Sequence, residues 1–472
     1  MSQELCWKSA VEMAQLVRAK QVSPSELLEA VLAQVDHVNP ATNAIVTRLD
    51  KQARDQACRL EAALARGEYV GPLAGVPIAV KDLHLMAGVR TTLGSRLYEH
   101  FVPDWDQPIV ERLRAAGAIL FAKTNTSEFG LIPLTDNSIF GPTRNPWNLA
   151  HNSGGSSGGA AVAVACGCGP LATAGDGGGS IRVPAAFTGV FGLKPQFGRV
   201  PHVAFPRGWE TVAHQGVISR TVRDTALALD VLAGPDERDR RSLPKPVARF
   251  ADACTSAADG LRLAWCPHLG SLPVEPEVLE VCRDAAQRFE QLGCRVDEIE
   301  LDLPELTPAQ QQIVLCEAAT AVGERRAEWE QVIYPGHRRL LEHADQRTYR
   351  DLVQAHWAAD DFSERLAPLW QQYDALLTPT VPITAPENGS LGPREIAGQK
   401  RRALSWLCFC VPWNMVGQPA ASMPAGCSAA GLPIGLQIVG RRFDEATVLR
   451  LASAYEAAWP WCDERPPLCR QP

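Results

Sequence analysis

Hydrophobic and polar positions along this chain follow two periods, and the change between them marks its organisation. In the first 66 residues the apolar positions recur at helical spacing. Ser23-Pro24-Ser25-Glu26 is a capping box with proline at the first helical position, and Leu27, Leu28, Val31, Leu32 and Val35 follow on one face. Asn39-Pro40 reads as the end of that helix, Asn43 to Arg48 as a short strand, and Asp50 as the cap of a helix running to about Arg66. From Gly71 onward, short apolar runs are separated by Gly and Pro. GVPIAVKD (75–82) and AILFAKTN (118–125) read as strands around a helix from Pro108 to Ala116. LRLAWC (261–266), CRVDEIEL (294–301), ALLTPTVPITAP (375–386) and GLPIGLQIVGR (431–441) read as further strands. Glu275 to Leu292 and Glu445 to Trp459 read as helices, and 305–375 as a polar helical stretch. This alternation predicts an α/β fold. Pro235 to Pro246, charged and Pro-rich, is the expected surface linker.

Composition narrows the function classes. Of 472 residues, 46% are apolar and 21% charged, which excludes a disordered chain. A net charge of −7 argues against nucleic-acid binding by general electrostatics. The most apolar run, Gly159 to Ala174, is cut by Pro170, so no membrane span is expected. The start, MSQELCWKSA, lacks a basic segment followed by an apolar one; no signal peptide and a cytoplasmic location are expected. The 14 cysteines have no zinc-ligand spacing, so free thiols and no metal are expected.

The segment with the clearest chemistry is 154–187, which carries two glycine–serine clusters. Gly154-Gly155-Ser156-Ser157-Gly158-Gly159 precedes a small-residue run, Ala160 to Cys166, that reads as a tightly packed helix. Gly177-Gly178-Gly179-Ser180 precedes Ile181-Arg182-Val183-Pro184. Glycines at this density cost backbone entropy, which is tolerated where a group must approach the backbone closely. A row of glycines before a serine can present N–H donors to a developing alkoxide. A phosphate-binding loop is the competing reading, but neither cluster has the lysine a P-loop needs. A purely structural turn is the other.

A serine nucleophile needs a base. The G-x-S-x-G elbow is absent, because position 182 is arginine. His84, His202 and His214 lie in segments that could face a site, although a lone histidine is more often structural. Lys81, at the end of an apolar run, is the other candidate. Desolvation would lower its pKa toward a useful range, whereas an exposed, carboxylate-paired lysine would do nothing. Asp82 is adjacent, but neighbours on a strand point to opposite faces.

GVPIAVKD, GGSSGGAA and GDGGGSIRVPAAFTGVFGLKP together resemble the amidase signature family of serine hydrolases. The resemblance extends over KTNTSEFG (123–130), FGPTRNPWN (140–148), GVISRTVRDTALALDVLAGPD (216–236), LTPTVPITAP (377–386) and much of 413–452. It implies a single α/β/α domain over 1–472, with a large mixed twisted sheet between helical layers. Its parts would be a signature core at about 70–235, a variable helical cap at about 240–370, and a C-terminal sheet and closing helix at about 371–472. It implies Ser180 as nucleophile, Ser156 as a bridging serine after a cis peptide, and Lys81 as the base that relays through it. The N–H groups of Gly177, Gly178, Gly179 and Ser180 would form an oxyanion hole, and Ser157, Asp176 and Arg182 would hold the glycine loop. No metal or organic cofactor is implied. The glycines at 175 and 177–179 exceed the family's usual number. They are expected to open the pocket floor to a bulkier or cyclic acyl group.

Substrate contacts are expected from Phe129, Ile132 and Leu134, from Phe205 and Trp209, and from Trp406, Phe409 and Trp413; Cys316 could also face the pocket. The function implied is an amide-bond hydrolase acting on small neutral aryl or alkyl amides. Carbamate, urethane, cyclic or oligomeric amides are an alternative substrate class. The glutamine-hydrolysing component of a tRNA-dependent amidotransferase and a binding protein without turnover are further alternatives. The implied partner is a small-molecule amide or carbamate, with no nucleic acid and no membrane. A homodimer is left open.

Overall fold

The computed structural model describes residues 2–470. Its strands are β1 (Ile45–Arg48), β2 (Pro77–Lys81), β3 (Ile119–Thr124), β4 (Leu171–Asp176), β5 (Phe191–Lys194), β6 (His214–Ser219), β7 (Arg262–Trp265), β8 (Arg295–Glu298), β9 (Ala375–Pro379), β10 (Glu395–Ile396), β11 (Gln399–Lys400), β12 (Ala420–Cys427) and β13 (Pro433–Gly440). Eleven join one mixed sheet in the order β1-β3-β2-β4-β6-β5-β12-β13-β9-β7-β8, while β10 and β11 form a separate hairpin. β2 runs parallel to β3 and β4, and β7 runs parallel to β8 and β9. The central pairings, from β4–β6 through β13–β9, are antiparallel.

Side chains alternate across a strand, and here the alternation sorts residues between two cores. Ile78 and Val80 of β2 pack into one core, shared with the helices Pro108–Ala115, Val222–Leu232, Pro276–Gln291 and Glu445–Ala458. Ala79 packs into the other, with the helices Pro24–Thr42, Asp50–Ala65 and Gly158–Ala165. The strands of both sequence halves lie in one sheet, so Pro235 to Pro246 runs over the surface of that sheet's covering layers and joins no separate bodies. Between residues 240 and 370, β7 and β8 extend the sheet edge. The wholly helical part begins at Thr307, a narrower cap than the sequence suggests.

Two helix ends differ from expectation. The helix from Pro24 passes through Pro40 to Thr42 and ends on Asn43 in the left-handed conformation, φ 53°. Pro40 sits in the last turn, where the backbone N–H it lacks deprives only the carbonyl of exposed Asp36, which water can satisfy. Asp50 is the first residue of its helix, and Leu49 stands at the cap without a side-chain hydrogen bond.

Gly159 decides how closely the helix Gly158–Ala165 approaches the sheet. A Cβ there would lie 2.5 Å from the backbone nitrogen of Asn125 and 2.8 Å from the carbonyl oxygen of Ala44. Both contacts are backbone and cannot swing aside. Gly159→Ala is therefore expected to destabilise the fold by about 1–3 kcal/mol, read as a lower urea midpoint with an unchanged slope.

Candidate active site

Lys81, the last residue of β2, falls on the same face as Ala79. That face is covered by the helix Gly158–Ala165, and Ser156 and Ser157 immediately precede this helix. The strand's alternation and the helix's starting point therefore bring the three side chains together. Lys81 is 1% exposed, Ser156 2% and Ser157 fully buried. Lys81 Nζ lies 2.8 Å from Ser156 Oγ and 2.7 Å from Ser157 Oγ. The Gly155–Ser156 peptide is cis.

The hydrogen-bond directions fix what the amine can do. The Ser157 hydroxyl donates to the Gly175 carbonyl at 3.2 Å, so its oxygen is left to accept from Lys81. A neutral Lys81 then has its lone pair free for the Ser156 hydroxyl. Burial pushes Lys81 down from 10.5 to about 7, and the charge on Asp176 only partly opposes this.

β4 ends at Asp176, and the glycine loop turns around this carboxylate. Asp176 accepts from the N–H of Gly179 (2.6 Å) and Ile181 (3.1 Å), from Arg182 Nε and Nη2 (both 3.0 Å) and from Asn414 Nδ2 (2.9 Å). Burial acts to raise its pKa, but the buried Arg182 beside it and these donors hold the carboxyl well below the usual range. Arg182 also donates to Cys410 O, Gln437 Oε1 and Asn414 Oδ1. Asn414 and Gln437, far along the chain, are partners of this pair that no local sequence signal marks.

This geometry changes two expectations about the glycines. The N–H of Gly179 is committed to Asp176 and is not free to serve as one of the expected oxyanion donors. The glycines also do not open the floor, because other side chains occupy the space they leave. A Cβ on Gly177 would meet the Trp209 ring at 2.5 Å, one on Gly178 would meet Gln310 Nε2 at 3.0 Å, and one on Gly179 would meet Cys410 Cβ at 2.9 Å. Gly175 faces the Gln215 amide, 3.2 Å from its virtual Cβ.

A cavity lined by Lys81, Ser156, Ser180, Gly175, Asp176 and Gly177 continues between Phe129, Phe205, Trp209 and Trp329. Of the residues expected at the substrate, Phe129, Phe205 and Trp209 line this cavity. Ile132 is not in the lining; its neighbour Leu131 is, because Ile132 turns into the protein, 4% exposed. Leu134, Trp406, Phe409 and Trp413 are also buried away from the cavity, with Trp406 stacked on Phe187 and Trp413 packed edge-on against Phe362. Cys316 does not line it either, and burial raises its thiol pKa. Leu93, Leu97, Tyr98 and Trp329 do line it. Leu97 and Tyr98 stand between Ser95-Arg96 and Glu99-His100, and Trp329 stands in the polar helical stretch, so no local hydrophobic pattern marks any of the three.

His84 and His202 line the cavity and His214 does not. His84 Nε2 donates to Gln215 Oε1 at 2.7 Å, and its Nδ1 lies 2.8 Å from Thr173 Oγ1. Burial, reinforced by nearby Lys81, pushes His84 down to about 3, and burial pushes His202 down to about 4. Both are too weakly basic to compete with Lys81. Among the described residues no group of three or more His, Cys, Asp or Glu is arranged to hold a metal.

A family model described as Amidase matches residues 26–449. The chain belongs to the amidase signature family. As a member it is an amide hydrolase. It is 38% identical over 474 residues to an acylamidase of Rhodococcus erythropolis, with 98% of each chain covered. It is 35% identical over 498 residues to a 6-aminohexanoate-cyclic-dimer hydrolase of Paenarthrobacter ureafaciens, over 99% of this chain and 98% of that one. A glutamyl-tRNA(Gln) amidotransferase component of Moorella thermoacetica is 36% identical, over 98% of this chain and 99% of its own. The structure is similar to that of a bacterial aryl acylamidase of the same family, with a TM-score of 0.92, 32% identity and 99% of both chains covered. The fold is accordingly the amidase signature α/β fold, a large mixed sheet between helices.

Removing one partner of the Asp176–Arg182 pair would leave the other charge buried and alone. Arg182→Ala is expected to cost about 3–5 kcal/mol of stability, measured by urea denaturation; a loss under about 1 kcal/mol would contradict the role given to the pair.

Proposed function

We propose that this chain hydrolyses small neutral aryl or alkyl amides through an acyl-enzyme on Ser180. The observation that carries the reading is the Lys81 amine, buried, drawn down to about 7 and in hydrogen-bond reach of Ser156, at the wall of a cavity that also holds Ser180. In the first step Ser180 Oγ bonds to the amide carbon. Its proton passes to Ser156, whose own proton passes to Lys81. The carbonyl oxygen takes up the negative charge and faces the N–H groups of Gly177, Gly178 and Ser180. The C–N bond then breaks, and the proton returns from Lys81 through Ser156 to the leaving nitrogen, which departs as a neutral amine. Water adds to the ester along the same relay, releasing the acid and restoring Ser180. Asp176 and Arg182 hold the loop, and Ser157 orients the amine.

The cavity's chemistry supports a neutral substrate. Its charged lining residues are Lys81, Asp176 and Arg207. Asp176 is committed to Arg182, and the Arg207 side chain is 82% exposed at the rim. Glutamine, which a tRNA-dependent amidotransferase would hydrolyse, carries a carboxylate and an ammonium that would need fixed opposite charges within reach. Beyond its charged residues the cavity offers aromatic and aliphatic side chains with the neutral polar groups of Gln107, Gln215, His84 and His202. The reading places the enzyme in the cytoplasm without nucleic acid or membrane. Among the described residues no helix is long and apolar enough to cross a membrane.

Ser180→Ala and Lys81→Ala are each expected to lower kcat/KM on an anilide by more than about 10³, and Ser156→Ala by somewhat less. An intact mass with one acyl group on Ser180 in the wild type, absent from Ser180→Ala, identifies the nucleophile. The active form carries neutral Lys81, so kcat/KM should be flat above about 7 and fall below it. The fall should approach about tenfold per pH unit. A rate unchanged at about pH 5 would contradict the relay.

A further inference from the structure

Glu128 is a carboxylate with 1% exposure and no part in the relay. It follows β3 in a single turn, Glu128–Gly130. Its Oε1 accepts from Ser95 Oγ at 2.6 Å and from Trp329 Nε1 at 2.9 Å. Its Oε2 accepts from the Tyr334 N–H and from His337 Nδ1, both at 2.9 Å. Three of the four donors come from the helical cap, and one from the sheet side. A buried carboxylate is costly unless its lone pairs are filled, so the cap must dock where all four bonds can form.

That docking sets the wall of the cavity. Trp329 meets Phe129 edge to face, with ring centroids 5.4 Å apart and planes at 78°. Phe129, next to Glu128, is held in the left-handed conformation at φ 50°, and its carbonyl accepts from Trp209 Nε1 at 3.1 Å. Phe129, Trp209 and Trp329 all line the cavity. Tyr334, whose N–H reaches Glu128, also donates its hydroxyl to Asp136 Oδ2 at 3.0 Å and so fastens the same cap segment a second time.

We propose that Glu128 is a positioning residue that fixes the aromatic wall of the substrate cavity and so selects amides carrying a ring. The inference rests on the acyl-enzyme reading above. In Glu128→Gln one oxygen becomes an NH₂ group that meets N–H donors. The wall then loses its register, while Lys81, Ser156 and Ser180 keep their own contacts. His337→Phe removes one of the four donors from the outer side, substitutes no cavity-lining residue and loosens the wall less.

The test compares two serine-directed reagents on the full-length protein: phenylmethanesulfonyl fluoride, which carries a ring, and methanesulfonyl fluoride, which does not. In both, the serine oxygen displaces fluoride from sulfur. Second-order inactivation rates are measured for wild type, Glu128→Gln and His337→Phe, and the modified peptide is identified by mass. The expected result is a loss of about tenfold for the ring-bearing reagent in Glu128→Gln, the equivalent of one hydrogen bond, and a smaller loss in His337→Phe. The ring-free reagent should change by less than about twofold in both, with Ser180 as the modified residue. Equal losses with both reagents, or no loss with either, would overturn the role of Glu128 and leave the Ser180 reading intact. Modification of another residue in the wild type would overturn the Ser180 reading, and this inference with it.

Discussion

An amine deprived of water is the constraint on which the rest of the site depends. Lys81 can act as a base near neutrality only if its charged form is disfavoured, and the fall from 10.5 to about 7 corresponds to about 5 kcal/mol withheld from that form. The fold produces this by ordinary means. A fully buried strand ends at Lys81, and a helix of small residues lies over it. Gly159 lets that helix approach to backbone contact. Among the described residues no carboxylate pairs with the amine: Asp82, next in sequence, turns away to Thr92 and the neighbourhood of Lys123.

The opposite sign of charge is handled with the same economy. Asp176 lies close enough to Lys81 to raise its pKa, which would work against a neutral base. Asp176 is itself paired with Arg182 in full burial, so the partner of that carboxylate is the guanidinium and not the amine. The same pair gives the glycine loop its shape, because the carboxylate takes the N–H groups of Gly179 and Ile181 and turns the chain at Ser180. The pairing of Asp176 away from Lys81 and the placing of Ser180 therefore come from one interaction.

Much of this was readable in the chain. The strand ending at Lys81, the helix after Ser157 and the serine after three glycines are local patterns. Hydrophobic period and glycine density report local patterns directly. What was hidden depends on contacts between distant segments. Gly177 is small because Trp209 fills its space, and that cannot be inferred from either residue alone. Glu128 looks like one polar residue in KTNTSEFG, yet its partners Trp329, Tyr334 and His337 lie about 200 residues later. Aromatic residues were the least informative, since Trp209 and Trp406 have the same composition signal. One lines the cavity and the other stacks on Phe187 in a separate core.

The most direct test of the central claim is to titrate Lys81 itself. Protein labelled with ¹³C at lysine Cε, in the Ser180→Ala background so that no acyl group forms, gives one resonance per lysine, and Lys81→Met identifies the relevant one. The account predicts that this resonance titrates near pH 7. A midpoint near the ordinary lysine value of about 10.4 would contradict it.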